Sequence, residues 1–417
     1  MTSLVLARAA TRAQFFCLGG IYGTWGVHVP TIKAHYRLDE ASLSFALLAV
    51  AGGAVFALLR AGALVSRIGA RAGAIASGMV MCAALGVLLA SDSYALLIAA
   101  ALVLGASSAV FDVSINTEGA ALEALGTRKV MSGFHGMFSL GGMAAAGVGA
   151  WVIGAGISAD VHLMVAAACL APTVVLAGTF MLPAHSAHDA GLAPSAAGET
   201  SATEPQPQPQ PQPPSQGSAA DRPTSAARQA RRRLLLLGLL GAAGLEAEGA
   251  MYDWSVLYLD QNLGAAPALA ALAYGSFSAA MAAGRFAGDA LRTRFDGATV
   301  LGGGAMLAAC AMTAVLLIGH PMVALIGFAI VGLGLANVVP VLFVAATEVP
   351  GVAASAGIAR VSSLGYLGFL LGPPMVGGLA HATSLPIALS VVVLALLLLA
   401  WGARRLAPRP VLKPVTS

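Results

Sequence analysis

Glu204-Pro205-Gln206-Pro207-Gln208-Pro209-Gln210-Pro211-Gln212-Pro213-Pro214 is the middle of a stretch, residues 183–233, that ends in the basic run Arg228, Arg231, Arg232 and Arg233. Nine of the chain's 21 prolines fall in these 51 residues and almost no large apolar side chain does. Nothing there can be buried to offset the entropy of ordering it, so the stretch reads as a disordered, partly polyproline linker. On either side lie two blocks of similar length, each almost wholly apolar. The chain therefore divides into a first bundle over 1–182, the linker over 183–233, a second bundle over 234–404 and a tail over 405–417.

The chain is 58% hydrophobic and 10% charged, with 50 glycines, whereas soluble domains carry roughly 25% charged residues. This is the composition of a membrane protein, with the lipid bilayer as its surroundings. The net charge of +4 matters less than where the basic residues stand along the chain, and no nucleic-acid partner is expected. Cys17, Cys82, Cys169 and Cys310 all sit in apolar stretches without CxxC or metal-ligand spacing, so they read as buried thiols rather than disulfides or a metal site. No phosphate loop and no Ser-His-Asp order is visible. An enzyme, a cofactor and an ATP-driven pump are not expected.

A helix needs ~20 apolar residues to cross about 30 Å of hydrocarbon, and twelve such runs can be placed. They are 12–30, 41–65, 72–90, 94–117, 131–155 and 159–182 in the first half, and 234–258, 267–290, 298–318, 321–344, 353–379 and 383–403 in the second. Strand alternation is missing, so the expected fold is all-α, twelve transmembrane helices in two six-helix bundles. Twelve spans put both termini and the linker on one side. On that side fall 19 of the 22 Lys and Arg residues, including Arg67, Arg71, Arg285 and the C-terminal Arg404 and Arg405. Lys33 and Arg37 fall on the other side and Arg360 within a span. The positive-inside rule then places the termini in the cytoplasm.

The halves also resemble each other. Gly133-Phe-His-Gly-Met-Phe-Ser-Leu-Gly141, opening the fifth span, lies against Gly357-Ile-Ala-Arg-Val-Ser-Ser-Leu-Gly365, opening the eleventh, with Gly, Ser, Leu and Gly coinciding at one offset. Parallel six-span repeats are the arrangement of one large transporter class. Between the second and third spans the chain reads Gly62-Ala-Leu-Val-Ser66-Arg67-Ile-Gly69-Ala-Arg71. This resembles the Gly-x-x-x-Asp-Arg-x-Gly-x-Arg loop of the major facilitator superfamily, with Ser66 in place of the usual Asp. The equivalent turn of the second half, Gly284-Arg285 to Asp289 and Arg294, keeps an acid.

Further short matches narrow the resemblance to a bacterial subgroup similar to the fucose-permease-like and YbjJ-like carriers. They are Trp25-Gly26 with Pro30, Asp112-x-x-x-Asn116, Phe134-His135-Gly136, and Glu248-Gly249 with Asp253-Trp254-Ser255. The resemblance implies a monomeric, multi-pass inner-membrane carrier that moves a small solute, often sugar-like and often with protons, by rocking two bundles about a central site. The signature loops would form a latch, with Gly62, Ser66, Arg67, Arg71, Arg285 and Arg360 among its parts. In it Asp289 would accept the free N–H groups near Met131 and Ser132. A drug or metabolite efflux antiporter is the alternative, and a membrane-embedded enzyme or receptor a more distant one.

Independently of family, ionisable groups inside spans mark function, because each must find water or a partner. Asp112 and Asn116 share one face of the fourth span and are expected toward its cytoplasmic end, either at the site or stitching helices. His135, near the start of the fifth span, can meet them, or serve only in packing. Glu246 and Glu248 lie on different faces of the seventh span near the midplane, and one of them is the expected protonatable group. Asp253 and Trp254 read as a site pair or as an anchor at the outer interface. Asn337 with Pro340 interrupts the tenth span, and Arg360 needs an acid such as Glu348 or Asp289. Trp25 completes the candidate set, which contains no catalytic or metal-binding residue.

Overall fold

The computed structural model describes residues 2–126, 130–183 and 225–406, apart from the side chains of Thr2, Ser3, Ala226, Asp289, Ser355 and Leu406. The Pro-Gln stretch, Arg128, Lys129 and the C-terminal tail from 407 lie outside the described residues.

Every regular element described is a helix. The first half contains α1 (Thr2–Val27), α2 (Val29–His35), α3 (Glu40–Ile68), α4 (Ala70–Gly86), α5 (Tyr94–Ala124), α6 (Met131–Gly154) and α7 (Ala159–Thr179). The second contains α8 (Ser225–Leu257, continued by a π turn over Tyr258–Asn262), α9 (Pro267–Arg294), α10 (Gly297–Ile318), α11 (Pro321–Leu335) and α12 (Val338–Thr347). It closes with α13 (Ala354–Ala382), α14 (Leu385–Ala388) and α15 (Ser390–Leu406). These make twelve rods, because α2 continues α1 past His28, α12 continues α11 across Asn337, and α14 leads into α15. The linker joins the end of α7 to the start of α8, which defines a linker face and an opposite, far face.

Nine of the described helical stretches are long and apolar enough to cross a membrane, and α4 is a shorter apolar helix. α1 and α9 fall short in apolarity, not in length. At 26 and 28 residues they extend about 39 and 42 Å at ~1.5 Å per residue, and they carry polar groups of the centre described below. Several ends differ from the sequence expectation. α8 starts at Ser225, so the basic run Arg228 to Arg233 is part of a helix rather than of the linker. α5 runs on to Ala124 and α9 to Arg294.

Packing repeats between the halves. The first rod lies on the fifth and the second on the fourth, as the seventh lies on the eleventh and the eighth on the tenth. Small residues set these crossings, as expected where lipid offers no hydrophobic drive between helices. At Gly105 any Cβ would collide with the Val50 carbonyl of α3. Gly141 of α6 approaches the Phe16 carbonyl of α1, while Gly365, its counterpart in the repeat, approaches Gly241 of α8. The halves meet along two seams, α6 on α9 and α3 on α13.

Two helices open on carboxylate caps. The Asp39 carboxylate accepts the Ser42 N–H at 2.7 Å to open α3, and Asp296 accepts the Thr299 N–H at 2.9 Å and its hydroxyl at 2.6 Å to open α10. The Thr299 hydrogen bonds hold the exposed Asp296 carboxyl below the usual range. The cap's contribution is therefore present above the unfolded-state carboxylate pKa and is lost as pH falls through the folded one. Asp296→Ala is expected to lower the Tm of the purified protein by about 1–2 °C near neutral pH. The difference from wild type should close in acid, and a gap that widens in acid would refute this role.

Candidate functional site

The chemistry-bearing side chains gather where α1, α5 and α6 face α8, α9 and α13. Arg285 of α9 stands nine residues before that helix ends at Arg294, about 13 Å inside the linker face at ~1.5 Å per residue. Its Nη2 donates to Glu248 Oε1 of α8 at 2.9 Å, and its Nη1 donates to Ser139 Oγ of α6 at 2.8 Å and to the His135 carbonyl at 3.5 Å. The side chains of Arg285 and Glu248 are 14% and 9% exposed. One guanidinium thus ties two helices of the second half to the first half, a joint that a planar fork of donors can make and an ammonium cannot.

Toward the far face from this joint lie tyrosines and acids. The Tyr22 hydroxyl of α1 donates to Ser108 Oγ at 2.7 Å, and its ring stands edge-on to Phe138 at 6.4 Å. Tyr22 is within electrostatic range of both Asp112 and Asp253. Tyr274 of α9 packs on Tyr252 with ring centroids 4.8 Å apart and fills the space left by Gly26 and Gly142 of the first half. Tyr366 of α13 is within electrostatic range of Asp112. The Asp112 carboxylate accepts the Asn116 amide at 2.9 Å. Asp253 is half-buried and, among the described residues, has neither a hydrogen-bond donor nor a counter-charge.

Glu246 and Glu248 separate as their spacing demands, to different faces of α8. Glu248 turns to Arg285. Glu246 is 5% exposed, neither of its carboxylate oxygens has a hydrogen-bond partner among the described residues, and its Cγ lies against Gly372 of α13. Pro373 and Pro374 follow inside that helix. A proline has no N–H, so the carbonyls of Phe369 and Leu370 lack the usual helical donor four residues on.

Other expected site residues lie elsewhere. Because α5 continues to Ala124, Asp112 is nearer the middle of its rod than the cytoplasmic end expected for it. The His135 ring does not meet Asp112; it packs edge-on against Phe15 at 5.3 Å, within electrostatic range of Arg285, and the His135 carbonyl accepts from that guanidinium. Asn337 turns its amide to the Gly284 carbonyl of α9 at 3.3 Å, tying the tenth rod to the eighth. Trp25 is 3% exposed and belongs to the packed core. Trp254 is fully buried, not an anchor at an interface, because α8 and its π turn continue to Asn262.

The expected latch is also rearranged. Arg285 is inside the bundle and not on the linker face. Gly62, Ser66 and Arg67 are exposed at the end of α3, where Ser66 Oγ donates to the Ala63 carbonyl of its own helix. Arg71 donates to the Met181 carbonyl at the end of the sixth rod, beside buried Glu118, which accepts the Leu182 N–H at 2.7 Å. These contacts stay within the first half. Glu123 of α5 accepts the Val130 and Met131 N–H groups at 2.8 and 3.2 Å, so the helix start assigned to Asp289 already has an acceptor. The Asp289 side chain lies outside the described residues. Arg360 and Glu348 are exposed, and no acid lies within ion-pair distance of Arg360 among the described residues.

The α3–α13 seam is closed at the far face, where a Cβ on Gly377 would strike Ser44 and where Asp39 meets His381 at 3.5 Å. Nearby, Lys33 bonds Glu40 and Gln261 at 2.8 Å each, again joining the halves. At the linker face the same two helices expose Arg60, Arg67 and Arg360. Sequence reasoning missed Ser108 and the tyrosines 22, 274 and 366, and it met Ser139 only as part of a motif without a site role. The available signal was aromatic pairs at helical spacing, Tyr22 with Trp25 and Tyr274 with Phe277.

Comparison with known proteins agrees with this architecture. The chain is 32% identical over 397 residues to an MFS-type transporter of Yersinia pestis, covering 95% of each. It is 27% identical over 388 residues to the membrane protein MosC of Rhizobium meliloti, covering 93% of this chain and 87% of that one. Among solved structures it resembles a variant of the E. coli fucose:proton symporter FucP, with TM-score 0.58 and 17% identity over 98% of this chain and 100% of the other. It also resembles the nucleoside transporter NupG, with TM-score 0.67 and 13% identity over 97% and 99%. At these identities the structures speak for the fold alone. The family model of the Major Facilitator Superfamily matches residues 13–359, and the chain belongs to that superfamily of membrane transporters.

Proposed function

We propose that this protein is a proton-coupled secondary carrier of a small polar solute, sugar-like in size and hydroxyl content, working by alternating access in the bacterial inner membrane. The observation that carries the reading is the placement of tyrosines and carboxylates from both halves around one centre, beside a single arginine joint that ties the halves together. A solute held between Asp112 of one half and Asp253 of the other can be released to either side as the bundles rock, provided the Arg285 joint and the far-face contacts form and break in turn. Glu246 is the proton carrier in this reading: an ionised carboxylate there would lack every donor it needs. The termini and linker face the cytoplasm, and the carrier works as a monomer.

The test is uptake into proteoliposomes of a panel of sugars, amino sugars, polyols and nucleosides under an inside-alkaline gradient. Saturable accumulation of at least one member, abolished by a protonophore, is expected. Accumulation that follows a sodium gradient and ignores the protonophore would refute proton coupling. The efflux antiporter is a second reading, favoured by the four tyrosines 22, 252, 274 and 366 grouped at the centre, and it predicts proton-dependent extrusion of flat aromatic cations instead.

A further inference from the structure

We propose that the solute taken at this centre carries a positive charge, and specifically that it presents a protonated amine to Asp253. The proposal rests on the carrier reading above and adds the charge of the cargo. Among the described residues, four carboxylates stand in the central turns, Asp112, Glu246, Glu248 and Asp253, against one guanidinium, Arg285, and the packed imidazole of His135. Arg285 is engaged by Glu248 at 2.9 Å in this arrangement. Asp112 is held only by a neutral amide. Asp253 is half-buried with no donor among the described residues, and it stands within electrostatic range of Tyr22 and Tyr274.

A carboxylate beside aromatic rings is the environment that recognises ammonium groups, through charge pairing and through the negative faces of the rings. Two further polar groups lie close by: Ser278 Oγ, fully buried and next to Gly142, and the Tyr252 hydroxyl stand near each other beside the Arg285–Glu248 joint, with no hydrogen bond of normal geometry among the described residues. An ammonium supplies three N–H donors, enough for the Asp253 carboxylate and neighbouring oxygens, whereas a neutral hydroxyl supplies one. An anionic solute would face uncompensated acids from both halves.

The experiment compares probes matched in shape and differing in charge on the full-length protein in nanodiscs: D-glucosamine, D-glucose and D-glucuronate, then ethanolamine and ethylene glycol. Thermal stabilisation reads binding, and counterflow in proteoliposomes reads transport. An amine member is expected to stabilise the protein with at least about tenfold higher affinity than its neutral counterpart, and the anion not at all. Asp253→Asn should erase the difference between amine and neutral probe, and Asp253→Glu should keep it, which separates loss of charge from misfolding. Equal or better binding of the neutral member, a response to glucuronate, or no response to any amine would overturn the proposal. Counterflow of a neutral probe would do so while leaving the carrier reading intact. Binding of an amine without counterflow would instead refute the carrier reading.

Discussion

Arg285→Met is expected to lower transport to background and to destabilise the folded protein by about 3–5 kcal/mol, the cost of removing one partner from a buried ion pair. The Glu248 carboxylate is 9% exposed, so water cannot take over from the lost guanidinium. Ser139 Oγ and the His135 carbonyl lose their donor in the same step. Arg285→Lys keeps the charge but not the fork, so it should recover part of the stability and little of the transport. Replacing both partners, Arg285→Met with Glu248→Met, should restore most of the stability, since an apolar pair avoids the desolvation of two charges. It should not restore transport if the joint must close and open during the cycle. Thermal unfolding and counterflow on wild type and these three variants check this. Wild-type transport by the double variant would refute the joint as a moving part.

The expected latch and the observed joint differ for a physical reason. The loop motif assigns residues to a face of the membrane, but only helix length says how deep a given residue lies. α9 continues to Arg294, and that extension carries Arg285 from the linker face into the bundle, within reach of Glu248. The rod count, the two halves and the seventh-span carboxylates were legible because apolar length and the cost of buried charge are local properties of a chain. Which carboxylate pairs and which stands alone was not legible, because the answer depends on α9 and α13, far away in sequence. The central tyrosines were invisible for a related reason. A tyrosine in an apolar run reads as packing until its hydroxyl is seen to meet Ser108 or its ring to face an acid. Glu118 and Glu123, which settle the fate of Arg71 and of the start of α6, likewise act through backbone groups that no residue pattern announces.

Glu246→Gln is expected to abolish accumulation driven by a proton gradient while leaving substrate exchange and folding intact. Glu246 is 5% exposed with no donor to either oxygen among the described residues, and it lies against Gly372 of α13, just before Pro373 and Pro374. A buried carboxyl with no donor to either oxygen is stabilised by a proton, which removes its charge and turns one oxygen into a donor. Glutamine supplies that donor permanently through its amide, so the variant is held in the state that the protonated acid visits. Stability should be unchanged or higher. Counterflow, which needs no net proton movement, should run at a rate near wild type, whereas uphill uptake and its dependence on external pH should vanish, because solute and proton binding are no longer linked. Glu248→Gln should behave differently, losing exchange and stability together through the broken Arg285 pair. Proton-driven accumulation by Glu246→Gln at the wild-type level would move the proton to Asp112 or Asp253. The tyrosine-flanked acids would then serve both cargo and coupling, and competition between amine and proton at Asp253 would become the step to measure.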